Sequence, residues 1–266
     1  MNRRQLLDLM AAGRPALGTF VNLGSPLATE ACALGGAAWV LIDLEHGGTG
    51  EDAVLPQILA AEARGAAALV RVETADRIRA GRVLDLGACG VMFPRIDTAE
   101  QAAEAIAHLR YPPDGDRGVA TYNRACGFGL DTGALDRAND EILGIIQIES
   151  PEAVANAAAI AAVPGVDVLF VGPRDLSHAM GIPGQVRHPD FLDALGQVLD
   201  AARNAGIAAG TLAATPASAA GYVADGFTFV GVGSDSSILA GAVADAIRTT
   251  IDAAADTAAR RRKEIA

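Results

Sequence analysis

The stretch LIDLEHGGTG places acidic and imidazole side chains at the end of an apolar run. The run from Trp39 to Ile42 indicates a buried strand, and Asp43, Glu45 and His46 follow it. An Asp-x-x-His pair suits general base catalysis, because the carboxylate can orient the imidazole and stabilise its protonated form. Asp43 and His46 are therefore candidate catalytic residues. The alternatives are that Asp43 caps a turn and that His46 is an ordinary loop histidine. We expect the Glu45 side chain to point away from those of Asp43 and His46 and to brace a loop.

Two further carboxylates follow apolar runs that are one strand–helix unit apart. Glu149 ends the run ILGIIQIE, and Asp175 follows VDVLFVGPR. Such oxygen ligands favour an octahedral Mg²⁺ or Mn²⁺ over zinc, which prefers His and Cys in a tetrahedron. The sequence therefore predicts a divalent metal site at Glu149 and Asp175. The structural alternative is that Ser150 and Pro151 begin a helix after Glu149 and that Asp175 caps the next one.

Arg71 ends another apolar run, AALVR, where it would supply fixed positive charge for a developing oxyanion. A surface pair with Glu73 is the alternative. A divalent metal, a base and an arginine together suit enolate chemistry beside a carboxylate. The glycines of GVGSD are expected to form a turn, with Asp235 or Ser236 capping the last helix, in preference to gripping a phosphate.

Composition excludes several classes of function. The net charge of -11 argues against nucleic acids and anionic membranes as partners, since both bind clustered Lys and Arg. No apolar run approaches the roughly 18 residues of a membrane span. Three scattered cysteines predict reduced thiols and a cytoplasmic protein. Lys263, the single lysine, lies in the terminal RRRKEIA, so we expect neither a Schiff base nor pyridoxal phosphate.

Eight apolar runs alternate with Ala- and Leu-rich segments of helical period. They are ALGTFVNLG, WVLIDLEHG, AALVRVE, GVMFPR, ILGIIQIES, VDVLFVGP, GIAAGTLA and GFTFVGVGSD. The alternation predicts a parallel sheet covered by helices, and eight units fit one (β/α)8 TIM barrel domain over residues 1–266. A doubly wound open sheet is the alternative, although its GxGxxG fingerprint is absent. In a barrel, the polar residues at the strand ends would share the carboxyl-end face.

Three segments lie outside this alternation. MNRRQLLDLMAAG predicts a short amphipathic N-terminal helix that ends at Gly13. YPPDGDRGVATYNRACGFGLDTG predicts an irregular loop whose length is typical of functional loops. AVADAIRTTIDAAADTAARRRKEIA predicts a long C-terminal helix with a basic end.

In chain order, LIDLEHGG, GVMFPRIDTAEQA, YPPDGDRGVA, QIES and VDVLFVGPRDLSHAMGIPG resemble the HpcH/HpaI class II pyruvate aldolases, and the resemblance covers nearly the whole chain. It implies a barrel enzyme that forms and cleaves 4-hydroxy-2-keto acids. It also implies Glu149 and Asp175 as metal ligands, His46 as the base, Asp43 as its partner, and Arg71 as the group that stabilises the pyruvate enolate.

The resemblance further implies residues around the substrate and between subunits. Asp85 matches an aspartate contributed across a subunit interface, because such enzymes are often trimer-based hexamers that exchange a terminal helix. The expected substrate-binding residues are Gln147, Arg71, Gly172, Pro173, Arg174 and Leu212. Arg174 replaces a small residue that is frequent in the family, and it could bind an anionic tail or point outward. Arg117, Tyr122 and Arg124 of the long loop are candidates for aldehyde selection, with loop packing or interface pairing as the alternative.

The expected donor is pyruvate or hydroxypyruvate, bound to Mg²⁺, Mn²⁺ or Co²⁺ and converted to an enolate that attacks an aldehyde. No nucleotide is expected to take part. Three alternatives stay open: a CoA-thioester lyase of the malyl-CoA or citramalyl-CoA type, an oxaloacetate decarboxylase, and a non-catalytic barrel that binds keto acids.

Overall fold

Eight parallel strands close into a barrel in the computed structural model, which describes residues 1–265 and the side chains of residues 1–262. The strands are β1 (Ala16–Val21), β2 (Trp39–Asp43), β3 (Ala67–Arg71), β4 (Gly90–Phe93), β5 (Leu143–Ile148), β6 (Val168–Val171), β7 (Ala208–Ala213) and β8 (Phe229–Ser234). Each strand pairs with the next, and β8 pairs with β1. The predicted (β/α)8 TIM barrel is confirmed, and the doubly wound open sheet is wrong.

Helices surround the barrel and close its amino end. They are α1 (Arg3–Ala11), α2 (Pro26–Leu34), α3 (Val54–Glu62), α4 (Arg77–Asp85), α5 (Ala99–Ala107), α6 (Ala134–Glu141), α7 (Pro151–Ala155), α8 (Ala157–Ala161), α9 (Pro173–Ala179), α10 (Pro189–Ala205), α11 (Pro216–Asp225) and α12 (Asp235–Ile265). The predicted terminal helices are α1 and α12, and the Lys263 side chain lies outside the described residues. Between residues 1 and 265, no helix is long and apolar enough to cross a membrane.

Aromatic side chains fill the barrel beneath its carboxyl end. Trp39 stacks on Phe229 with ring centroids 4.3 Å apart, and its indole N–H donates to the Ala16 carbonyl at 2.9 Å. The indole fits because β1 presents Gly18 to it: a Cβ at this position would lie 2.1 Å from the Trp39 ring. The packed aromatic layer forms a solid floor on which the polar side chains above can rest.

Strand alternation carries polar side chains to the mouth of the barrel. Leu41 of β2 and Leu69 of β3 belong to the interior cluster. Because side chains two residues apart share a face of a strand, Asp43 and Arg71 also point inward, one layer higher. The two are directly paired in the register of β2 with β3.

The turn after β8 is built around Ser234. Its hydroxyl accepts from the Ser237 backbone N–H at 3.2 Å, and the Ser237 hydroxyl accepts from the Ser234 N–H at 2.9 Å. Asp235 instead accepts from the Asn22 backbone N–H at 2.9 Å and so ties β1 to the start of α12. GVGSD is therefore a turn, as predicted, but the prediction that Asp235 or Ser236 caps the helix is wrong.

Gly18→Ala is expected to destabilise the barrel by about 1–3 kcal/mol, the usual range for an added buried methyl group. Urea denaturation followed by fluorescence measures this effect at Trp39, the only tryptophan. The matched control is Gly81→Ala in α4, where an added Cβ meets nothing within 4 Å. That control should be neutral or stabilising by about 0.5–1 kcal/mol. Equal midpoints for Gly18→Ala and the unsubstituted protein would contradict this packing.

Candidate active site

Polar side chains from four neighbouring parts of the barrel meet at its carboxyl end. Asp43 and Arg71 are the last residues of β2 and β3. Gln147 lies in β5 and Glu149 directly follows that strand, whereas Asp175 lies in the first turn of α9, which follows β6. The strand ends predicted from the sequence to carry chemistry therefore share one face.

Arg71 is buried and held by several oxygens. Its Nε and Nη2 donate to the two carboxylate oxygens of Asp43 at 3.0 and 2.7 Å, and Nη1 lies 3.1 Å from Glu45 Oε2. The Phe20 ring centroid is 5.2 Å from the guanidinium carbon. Burial lowers the pKa of Arg71, but the hydrogen bonds and charge of Asp43 outweigh it and the pKa is raised. Arg71 is thus a fixed cation.

Two expectations around Arg71 are wrong. Glu45 does not point away, because its carboxylate contacts Arg71 at the mouth. β2 ends at Asp43, and the turn that follows, in which the Glu45 N–H donates to Asp43 Oδ1, brings Glu45 back to the mouth. The surface pair between Arg71 and Glu73 is also absent: Glu73 instead contacts Arg79, at 3.1 Å.

Asp43 positions the turn that carries His46. Its Oδ1 accepts from the backbone N–H groups of Glu45 at 3.1 Å and of His46 at 3.2 Å. Gly47 is required by this turn, since a Cβ there would lie 1.9 Å from the Asp43 carbonyl oxygen. The His46 imidazole is exposed, and no hydrogen bond joins it to Asp43 among the described side chains. The expected carboxylate–imidazole contact is not formed, because Arg71 and the turn take both oxygens of Asp43.

Glu149 is a buried carboxylate with defined partners. Its Oε1 accepts from the Arg95 backbone N–H at 2.8 Å, and its Oε2 accepts from Gln147 Nε2 at 2.7 Å. Burial raises the pKa of Glu149, and the nearby negative charges of Asp175 and Glu45 raise it further, while the Arg95 N–H opposes them. A cation beside Glu149 would relieve both the repulsion and the desolvation.

The oxygens at this point fit a hard divalent cation. Glu149 and the exposed Asp175 contribute carboxylates, and Gly172 keeps space beside Glu149, since a Cβ would lie 3.2 Å from Glu149 Oε2. No group of three or more His, Cys, Asp or Glu side chains suited to a metal occurs within the described part of the chain. Two protein carboxylates completed by water or substrate oxygens suit Mg²⁺ or Mn²⁺, whereas zinc would want nitrogen or sulfur.

The structural alternatives for this region separate cleanly. Ser150 does cap α7, with its hydroxyl accepting from the Ala153 N–H at 3.0 Å and Pro151 as the first helical residue. Asp175, however, caps nothing: the residue before α9 is Gly172, which makes no side-chain cap. The Asp175 carboxylate therefore does not cap its helix, although its charge in the first turn of α9 suits the helix dipole.

The remaining predicted substrate-binding residues line the same mouth. Gly172 is buried, and Pro173 is half-buried at the start of α9. Leu212 of β7 is half-buried against the interior cluster. Arg174 is exposed next to Asp175.

The other four predicted residues lie elsewhere. α4 runs back to the amino ends of the strands, and there the Asp85 carboxylate contacts Arg117 Nη2 at 2.8 Å. The Arg117 guanidinium is buried over the Tyr111 ring, and Arg124 bonds the ends of α3 and α4 in the same region. Tyr122 is exposed. Within one chain, Asp85, Arg117 and Arg124 are remote from the mouth, so aldehyde selection by this loop would require a second copy.

Sequence reasoning missed two residues at the mouth. Arg95 follows β4 with a left-handed φ of 57°, and its N–H holds Glu149. Asn22 follows β1, and its Oδ1 is buried without a partner among the described residues. The available signal was position, because both come directly after apolar runs like the residues that were selected.

The amino-acid sequence matches a family model and several curated proteins. The family model described as HpcH/HpaI aldolase/citrate lyase matches residues 16–242. A 5-keto-4-deoxy-D-glucarate aldolase of Klebsiella pneumoniae is 38% identical over 90% of this chain and 94% of its own. The enzyme of that name from Salmonella arizonae is 40% identical over 85% of this chain and 88% of its own.

Solved structures show the same relationship. A HpcH/HpaI aldolase/citrate lyase family protein from Burkholderia cenocepacia has a TM-score of 0.89 and 38% identity, covering 92% of this chain and 98% of the other. A HpcH/HpaI aldolase from Desulfitobacterium hafniense has a TM-score of 0.84 and 31% identity over 91% and 95% of the two chains. The resemblance in the sequence is confirmed, as is the class of carbon–carbon lyase. The chain therefore belongs to the HpcH/HpaI aldolase/citrate lyase family.

Proposed function

We propose that this family member is a divalent-metal-dependent aldolase for a 4-hydroxy-2-keto diacid of the 5-keto-4-deoxyglucarate type. One observation carries the proposal. The buried, fixed cation Arg71 lies at the same mouth of the barrel as the carboxylates of Glu149 and Asp175. The names of the curated relatives support the choice of substrate. Aldol cleavage of that compound gives pyruvate and 2-hydroxy-3-oxopropanoate, an aldehyde that carries its own carboxylate.

The contacts at the mouth indicate a role for each residue. A divalent cation at Glu149 and Asp175 would supply a Lewis acid for the keto and carboxylate oxygens of the substrate. Arg71 would stabilise the enolate oxygen, because Asp43 and Glu45 fix the orientation of its guanidinium. Its Nη1 is 3.5 Å from the Gln147 amide oxygen, a long contact that a substrate oxygen could replace.

His46 is our candidate for moving the proton. Its imidazole is exposed in the loop after β2, and the backbone bond to Asp43 fixes where that loop leaves the barrel. In cleavage, a base removes the proton of the 4-hydroxyl, the adjacent carbon–carbon bond breaks, and the electron pair passes into the pyruvate enolate. A proton then returns to the enolate carbon and completes pyruvate.

We also propose that the protein is a cytoplasmic homo-oligomer in which α12 contacts a second copy. Five apolar side chains of α12, spaced one to four residues apart, are each at least half exposed. They are Ile238, Leu239, Val243, Ile247 and Ile251. A helix with such an exposed apolar stripe gains stability by covering it. Free thiols at all three cysteines support a reducing compartment.

Cleavage of synthetic 5-keto-4-deoxyglucarate should release pyruvate only with Mg²⁺, Mn²⁺ or Co²⁺ present, as measured by coupling to lactate dehydrogenase. EDTA should abolish release and added metal should restore it. Release that persists after exhaustive EDTA treatment, or no release with any metal, would contradict the proposal.

His46→Ala should lower kcat by about 100-fold or more, the usual contribution of a general base.

Glu149→Gln should lose the rise in Tm that divalent metal gives the unsubstituted protein. At 100 times the dissociation constant, that rise corresponds to about 2.7 kcal/mol. Without metal, the variant should keep a Tm near that of the unsubstituted protein, because removal of a disfavoured charge, on a carboxyl whose pKa is raised, offsets the loss of one of the two hydrogen bonds that Glu149 accepts. The control is Glu152→Gln, an exposed position three residues later. A metal-dependent rise in both variants would exclude Glu149 as a ligand.

The α12 proposal is tested by molar mass in light scattering. We expect a multiple of the 27.0 kDa chain, and Ile247→Asp with Ile251→Asp should reduce it while circular dichroism keeps the barrel signal. A monomeric unsubstituted protein would refute the proposal.

A further inference from the structure

Two arginines stand at the rim on either side of the proposed metal ligand Glu149. Arg95 follows β4 and Arg174 follows β6, while Glu149 follows β5, the strand between them. Both guanidinium groups belong to exposed residues, and within residues 1–262 neither forms an ion pair. Two uncommitted cations therefore flank the carboxylate that the reaction would use.

Exposure alone would not distinguish these arginines from the rest of the surface. Several exposed arginines are paired, as Arg82 is with Glu51 at 2.6 Å. Others, such as Arg14 before β1, are exposed at the opposite end of the barrel and form no ion pair with the side chains that the structure describes. The distinguishing feature of Arg95 and Arg174 is their place at the mouth.

The backbone anchors both residues next to the reacting groups. Arg95 adopts a left-handed φ of 57°, which is unfavourable for a non-glycine residue, and its own N–H donates to Glu149. Arg174 directly precedes Asp175 in α9. Each guanidinium thus starts from a residue tied to one of the two proposed metal ligands.

The charges of the inner mouth explain why further cations are needed. Asp43, Glu45, Glu149 and Asp175 face one buried cation, Arg71. Even with a divalent ion in place, this set leaves no surplus positive charge for a second anionic group. A substrate with two carboxylates therefore needs a separate cationic contact nearer to solvent.

We propose that Arg95 and Arg174 bind the second carboxylate of the substrate, the one carried by the aldehyde fragment. The inference rests on the proposed function, and it makes these arginines the residues that select a carboxylated aldehyde over a neutral one. Arginine suits this task because its planar donors can engage both carboxylate oxygens.

A matched pair of aldehydes tests the inference. Addition of pyruvate to 2-hydroxy-3-oxopropanoate is compared with addition to glyceraldehyde, which has a hydroxymethyl group in place of the carboxylate. We expect Arg174→Gln and Arg95→Gln each to lower the ratio of the two kcat/KM values by about 10- to 100-fold, mainly through KM for the carboxylated aldehyde. Arg174→Lys should retain only part of the preference, because the charge remains but the planar pair of donors is lost, and Arg14→Gln should leave the ratio unchanged.

The possible outcomes distinguish a failure of this inference from a failure of the proposed aldolase function. Metal-dependent addition to both aldehydes with unchanged ratios in the Gln variants would overturn the inference and leave the aldolase intact. An equal loss on both aldehydes would also overturn it, because that result indicates a structural role. If the unsubstituted protein adds pyruvate to neither aldehyde, the proposed function fails and the inference with it.

Discussion

The buried ion pair between Arg71 and Asp43 is the interaction on which the mouth of this barrel depends. A guanidinium removed from water is costly unless its donors are satisfied, and here Asp43 accepts two of them. The same carboxylate also accepts a hydrogen bond from the backbone N–H of His46, so Asp43 positions both the cation and the loop that carries the candidate base. The aromatic floor below, with Phe20 against the guanidinium, prevents the pair from sinking inward.

The opposite side of the mouth is arranged differently. Arg71 has its counter-charges, whereas Glu149 is buried near two other carboxylates, and none of the cationic side chains that the structure describes is bonded to it. The protein thus satisfies its own cation on β2 and β3 and leaves a negative site on β5 and α9. This asymmetry is what a divalent ion and a keto acid would complete, because the ion is attracted to one side and the developing oxyanion to the other.

The sequence predicted the barrel and most of the mouth because both depend on local patterns. Apolar runs mark the strands, and the residue that ends a run, such as Arg71, must face the mouth if its inward neighbour two residues earlier is apolar. Tertiary contacts decided the rest. Which oxygen of Asp43 meets which donor depends on β3, and the position of Arg117 depends on a long loop folding back to α4. The Arg95 N–H was hidden because backbone donors leave no mark in residue identity.

The central claim is that this mouth generates the enolate of pyruvate. The most direct test is exchange of the pyruvate methyl protons in D₂O, followed by NMR, because it needs no aldehyde. We expect rapid exchange with Mg²⁺ or Mn²⁺ that stops after EDTA treatment. Exchange no faster than in buffer, with pyruvate or hydroxypyruvate and every divalent metal, would contradict it.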